Sequence, residues 1–135
     1  MIFLDTNICI AAIRGHARVA TRLLAHGSRV RLPFAVVAEL RFGIEKARAL
    51  SQPVDAVQQR LEAFLLRVPD VAPLTDAAMS AYARIRAGLE IAGKPIGSND
   101  LWIAAQAIAE DALLVTANTR EFSRVPNLRL ENWLK

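Results

Sequence analysis

The chain has 135 residues, 53% of them hydrophobic, with 17 Lys and Arg against 13 Asp and Glu and a formal net charge of +4. That apolar share is enough for a real core and excludes a disordered chain, while no apolar run approaches the roughly 20 residues a membrane span needs. A single cysteine excludes an internal disulfide, and the basic balance favours acidic partners such as nucleic acid without deciding the fold.

The elements read in chain order as strand-like apolar runs alternating with helix-like ones, the pattern of a parallel sheet covered on both faces. Residues 1–4 predict a strand, followed by helices over 6–13 and 17–26 and a short strand near 29–32. Pro33 marks a boundary. Residues 34–50 then predict a helix, with Val36, Val37, Leu40 and Ile44 recurring along one buried face, and Ser51-Gln52-Pro53 breaks it. Residues 54–66 read as helix, 67–72 as strand, and 75–92 as a long amphipathic helix with Thr75 as its N-cap. After the breaker-rich loop 93–97 come a helix over 100–110, a strand over 113–116 and a last strand at 128–130. Cys9, between Ile8 and Ile10, reads as a core residue. No linker or repeat divides the chain, and no basic segment resembling a signal peptide opens it. The expectation is therefore a single domain over residues 1–135 in a soluble, cytoplasmic protein.

Three acids sit where this pattern makes them informative. Asp5 closes the first apolar strand, and in open parallel sheets ligands bind at the carboxyl ends of strands. Glu39 lies on the shoulder of an apolar helix face, in one stripe with Ala35 and Gly43, whose small side chains leave a groove beside it. Asp100 opens a helix that is apolar nearly all round. A carboxylate entering such a region needs a compensating cation. Each acid also has an ordinary reading: Asp5 as a helix cap, Asp100 in a first turn favoured by the helix dipole, Glu39 as a solvated residue. Ser98 and Asn99 precede Asp100, and Thr116 and Asn118 end the late strand, so polar groups gather in the same parts of the sequence. Carboxylates brought together repel unless a cation intervenes. Oxygen donors without Cys or His suit Mg²⁺ or Mn²⁺ better than zinc.

Several segments, in this order and at this spacing, resemble a PIN domain, most closely the VapC toxins of bacterial type II toxin–antitoxin systems. They are Leu4-Asp5-Thr6-Asn7, Val37-Ala38-Glu39-Leu40-Arg41-Phe42-Gly43, Ile96-Gly97-Ser98-Asn99-Asp100 with Ile103-Ala104-Ala105, Val115-Thr116-Ala117-Asn118-Thr119-Arg120-Glu121-Phe122, and Leu130-Glu131-Asn132-Trp133. The resemblance implies a three-layer α/β/α sandwich around a central parallel sheet. It also implies metal-dependent hydrolysis of RNA phosphodiesters, with Asp5 and Asp100 as the principal Mg²⁺ ligands and Glu39 completing the acidic cluster. Thr6 would orient Asp5, and Ser98 and Thr116 would line the pocket. The family's fourth acid usually stands where this chain has Asn118, and Glu121 is close enough in sequence to compensate. Two expectations follow. Either Asn118→Asp lowers the metal requirement, or Glu121 already supplies the charge, in which case Asn118→Asp does little and Glu121→Gln raises it. Arg41, Arg84, Arg86, Lys94 and Arg120 are candidate phosphate contacts. The implied partners are RNA, a VapB-like antitoxin laying an Arg or Lys across the carboxylates, and a second copy in a homodimer that enters a larger toxin–antitoxin assembly. The competing readings are a non-catalytic RNA-binding module on the same scaffold and a metal phosphoesterase acting on DNA or small nucleotides.

Overall fold

The computed structural model describes all of residues 1–135. The chain runs β1 (Ile2–Leu4), α1 (Thr6–Ile13), α2 (Ala17–His26), β2 (Val30–Pro33), α3 (Phe34–Ala49), α4 (Asp55–Arg67), β3 (Val71–Ala72), α5 (Asp76–Ile91), α6 (Ser98–Ala109), β4 (Leu113–Val115), α7 (Thr119–Phe122) and β5 (Leu130–Glu131). The five strands form one sheet in the order β3-β2-β1-β4-β5, and every pairing is parallel. Because β1 is covered on both faces, Ile2, Phe3 and Leu4 are all buried and its sequence is continuously apolar rather than alternating. Connections lead from β1 outward to β2 and β3, then return across the sheet to β4 and β5. Right-handed crossovers in the two directions put α1 to α4 on one face and α5 with α6 on the other, the three layers the sequence predicts. Phe3, Leu4, Ile8, Ile103, Leu114 and Trp133 are among the most deeply buried side chains of the core between them.

Most of the predicted elements lie within two residues of those observed, and the differences have local causes. The α6 helix starts at Ser98 rather than Asp100, because extended Gly97 (φ −60°, ψ 152°) serves as its N-cap, and this puts Asp100 third in the first turn. The third strand is shorter than predicted. Arg67 stays in α4, and only Val71 and Ala72 pair with β2. The last strand lies at 130–131 instead of 128–130, and α7 was not anticipated. Thr75 caps α5, its hydroxyl accepting from the Ala78 N–H at 3.1 Å, and Cys9 is buried. No helix is long and apolar enough to cross a membrane.

Candidate functional site

The strand order reverses between β1 and β4, and the crevice outside the carboxyl ends of those two strands is where doubly wound sheets bind ligands. Asp5 follows β1 directly and Thr116 follows β4. Asp5 is buried, 5% exposed, and its carboxylate is held from two sides: Oδ1 accepts from the Thr6 N–H at 2.8 Å and Oδ2 from the Thr116 hydroxyl at 2.7 Å. The capping reading of Asp5 is therefore correct and compatible with a site, since one oxygen caps α1 while both keep lone pairs free. Thr6 carries the network onward, its hydroxyl donating to Glu39 Oε2 at 2.6 Å. The helix that buries Val36, Leu40 and Ile44 thus delivers Glu39 to the α1 N-terminus.

Asp100 and Glu121 complete the arrangement from the other side of the crevice. Burial raises the Asp5 pKa despite the hydrogen bonds from Thr116 and Thr6, and the charges of Glu39 and Glu121 raise it further. Half-buried Asp100 is pushed up to about 7. Burial is the main cause, followed by the charges of Asp5 and Glu121, a hydrogen bond to Glu121 and the charge of Glu39. Glu121 moves the other way, held below its ordinary range by the Gly97 N–H at 3.1 Å and the Asn118 side-chain amide at 2.7 Å. Asp100 is thus the member of the pair that keeps a proton. None of Asp5, Glu39, Asp100 or Glu121 forms an ion pair with Lys, Arg or His.

The structure brings together Asp5, Thr6, Glu39, Asp100, Thr116, Asn118 and Glu121 through the contacts and mutual fields just described. Ser98 departs from the expectation. It lines a separate hollow with Tyr82, Arg86, Leu89, Glu90, Pro95, Ile96 and Leu101, because the first turn of α6 rotates it away from Asp100. Two predicted phosphate contacts are engaged elsewhere: Arg41 pairs with Glu62 at 3.1 Å, and Arg86 with Glu90 at 2.9 Å and the Tyr82 hydroxyl at 3.1 Å. Arg84, Lys94 and Arg120 are exposed and form no ion pair. Sequence reading missed Arg124, which lowers the Glu121 pKa and donates to the Pro95 carbonyl at 3.0 Å. It also missed Asn7, whose side-chain carbonyl accepts from the Ala117 N–H at 3.2 Å.

Two hollows border the cluster, and Glu39 lines both. One, of about 330 Å³, runs between α1, α3 and α4 and is lined by Ile10, Ile13, Leu40, Gly43, Ile44 and Val57 among others; it is the groove that small Gly43 predicts. The other contains Phe34, Ala35, Phe42, Asn99 and Trp102. No three His, Cys, Asp or Glu side chains stand close enough to ligate one ion in this arrangement. In charge and donor chemistry the residues nevertheless fit a hard divalent cation. The acids Asp5, Glu39, Asp100 and Glu121 are all carboxylates, the pKa values of Asp5 and Asp100 are raised by burial and by like charges, and none of the four forms an ion pair.

The fold and the site define an α/β domain with an acidic pocket at its topological switch point. The family model for the PIN domain matches residues 2–128. Ribonuclease VapC2 of Rickettsia felis is 42% identical over 98% of this chain and 97% of that protein. The tRNA(fMet)-specific endonuclease VapC of Shigella flexneri is 36% identical over 96% of each. Among solved structures, a chain of VapBC2 from Rickettsia felis bound to a DNA fragment from their promoter superposes with a TM-score of 0.87 at 39% identity, covering 98% of this chain and 99% of that one. The chain belongs to the PIN-domain family and, within it, to the VapC ribonucleases.

Proposed function

We propose that this protein is an endoribonuclease that hydrolyses RNA phosphodiesters with a divalent ion, Mg²⁺ or Mn²⁺, and that it is the toxin of a type II toxin–antitoxin module. The observation that carries the proposal is the set of four carboxylates at the switch point, none of which forms an ion pair. Asp5 and Asp100 would hold the ion, with Glu39 and Glu121 supplying the remaining negative charge. When bound, such an ion supplies Lewis acidity toward a phosphodiester.

The chain's own residues orient and tune the pocket. Thr116 and the Thr6 N–H fix both oxygens of Asp5, and the Thr6 hydroxyl fixes Glu39. Asn118 donates its amide to Glu121, so the neutral residue at this position supports the acid beside it rather than replacing it. Asp100, its pKa pushed up to about 7 in the metal-free pocket, would have to be deprotonated to hold a cation, which would link cation binding to pH. The competing reading of a non-catalytic module is disfavoured by the same cluster, because burying Asp5 and Asp100 among like charges costs stability unless a cation uses them.

A VapB-like antitoxin is the proposed silencer. Its apolar segment fits the groove between α1, α3 and α4, and because Glu39 lies in the wall of that groove, an Arg or Lys on the segment reaches the acids. A homodimer is proposed on the α3 side, where Phe42 is 63% exposed. The test incubates structured RNA, single-stranded RNA and DNA with the protein in Mg²⁺ and in chelator. The expected outcome is RNA cleavage in Mg²⁺ alone. Cleavage of DNA, or no cleavage of any RNA, contradicts the proposal, and failure to copurify with the product of an adjacent small gene contradicts the antitoxin.

A further inference from the structure

We propose that Asn7 is a positioning residue of the acidic pocket: its side-chain carbonyl clamps the turn after β4, so that Thr116 and Asn118 stay aimed at Asp5 and Glu121. This rests on the ribonuclease reading for its effect on catalysis, although the clamp itself does not.

The case begins with the three N–H groups of that turn, each of which needs an acceptor. The Thr116 N–H makes the last bond of the sheet, to the Glu131 carbonyl at 2.9 Å. The Asn118 N–H folds back onto the Thr116 hydroxyl oxygen at 2.9 Å. Between them the Ala117 N–H has left the sheet, and Asn7 Oδ1 takes it at 3.2 Å. Ala117 is exposed and its methyl group anchors nothing, so this bond from α1 is what ties the middle of the turn to the body of the protein.

The other end of the clamp is rigid. Asn7 is the second residue of α1, the helix that Asp5 caps, and its neighbours Ile8 and Cys9 are fully buried while their N–H groups both bond the Asp5 carbonyl at 3.1 Å. One short helix therefore carries Asp5 and, through Asn7, sets the distance to the strand end that carries Thr116. The Thr116 hydroxyl has one proton, which goes to Asp5, and it accepts from the Asn118 N–H. If the turn shifts, that hydroxyl loses its acceptor role and is free to rotate off Asp5. Asn118, in turn, no longer aims its amide at Glu121. Neither acid is touched by Asn7, yet both are oriented through it.

The test measures residue-resolved amide hydrogen exchange on the full chain without metal, for wild type, Asn7→Ala and Asn7→Asp. Asp keeps an acceptor oxygen where Ala has none. In Asn7→Ala, the Ala117 and Asn118 amides are expected to exchange about fivefold faster or more, while Leu4 and Leu114 keep their protection. Asn7→Asp is expected to retain Ala117 protection. Unchanged exchange at Ala117 in Asn7→Ala, or equal loss in Asn7→Asp, overturns the clamp. Should Asn7→Ala fail to fold, Asn7→Ser takes its place with the same expectation, its side chain being too short to span the gap. RNA cleavage supplies the second reading: in Asn7→Ala, kcat falls about 10- to 100-fold with KM for RNA within about twofold, the usual effect of removing a support behind a ligand. Asn7→Ala combined with Thr116→Val is no slower than Thr116→Val alone; additive losses overturn the positioning role. If the wild type cleaves no RNA, the functional reading fails while the exchange pattern still decides the clamp.

Discussion

The two edges of the sheet treat their acids in opposite ways. At the amino ends of the strands, Asp70 before β3 pairs with Arg31 at 2.8 Å, Glu110 before β4 approaches the same guanidinium at 3.9 Å, and Asp111 pairs with Arg129 at 3.4 Å. At the carboxyl ends, Asp5, Glu39, Asp100 and Glu121 have one another and hydrogen-bond donors, but no ion-pair partner. A chain with four more basic than acidic side chains has arginines to spare. Leaving the carboxyl-edge acids unpaired costs stability that the amino edge avoids, which is the pattern of a functional site rather than of a surface charge network.

The largest way to break that comparison is to remove an acid from each edge. Asp5→Asn is expected to reduce RNA cleavage about a thousandfold or more while the protein stays folded, because Asn caps a helix as well as Asp does and relieves repulsion in the pocket. Asp100→Asn is expected to act likewise. Asp111→Asn at the amino edge should leave cleavage unchanged and alter stability by about 0–1 kcal/mol, the worth of an exposed pair. Thermal melts and cleavage rates of the three variants check this. An inactive but unfolded Asp5→Asn would return that residue to a capping role.

A second contrast is in pH. The Asp100 pKa is raised from 3.8 to about 7, so in the metal-free protein its contribution to stability is fully present below about pH 4 and is lost as pH rises through 7. The expected loss is roughly 1–3 kcal/mol after solvent screening, and Asp100→Asn should abolish it. Melting temperature against pH in chelator measures the effect. A flat wild-type profile over that range contradicts the placement of Asp100 among like charges.

The smallest effect sharpens the corner at Asn118. Asn118→Asp replaces the amide that donates to Glu121 at 2.7 Å with a second carboxylate, and because Glu121 already supplies the charge it should change the Mg²⁺ concentration for half-maximal cleavage by less than about twofold. Glu121→Gln should raise that concentration about two- to fivefold. Of the two expectations the sequence leaves open, the geometry favours the one in which Glu121 already supplies the charge. A lower metal requirement in Asn118→Asp would restore the other.

How much of the fold is legible in the sequence depends on how far each signal reaches along the chain. The β1 strand announces itself as an unbroken apolar run ending in an acid, and the 3.6-residue spacing of Val36, Leu40 and Ile44 places Glu39 on the shoulder that meets Thr6. The α7 helix is four residues long, too short to show a period, and β3 is two. Thr116 on Asp5 joins positions 111 residues apart, a pairing that no local pattern contains. Ser98 is close to Asp100 in sequence, yet two positions along a helix point to different faces. Arg41 and Arg86 looked free because their partners, Glu62 and Glu90, compete for them only in the folded chain. Asn7 gave no chemical signal beyond its place in the opening motif, since an amide at a helix start is ordinary capping sequence.

The claim that the carboxyl edge is built for a cation is tested most directly by calorimetric titration of Mn²⁺ into the chelator-stripped protein near pH 7. The account predicts saturable binding that releases protons, is lost in Asp5→Asn and Asp100→Asn, and is unchanged in Asp111→Asn. Absence of binding to the wild type, or binding that survives loss of Asp5 and Asp100, would contradict it.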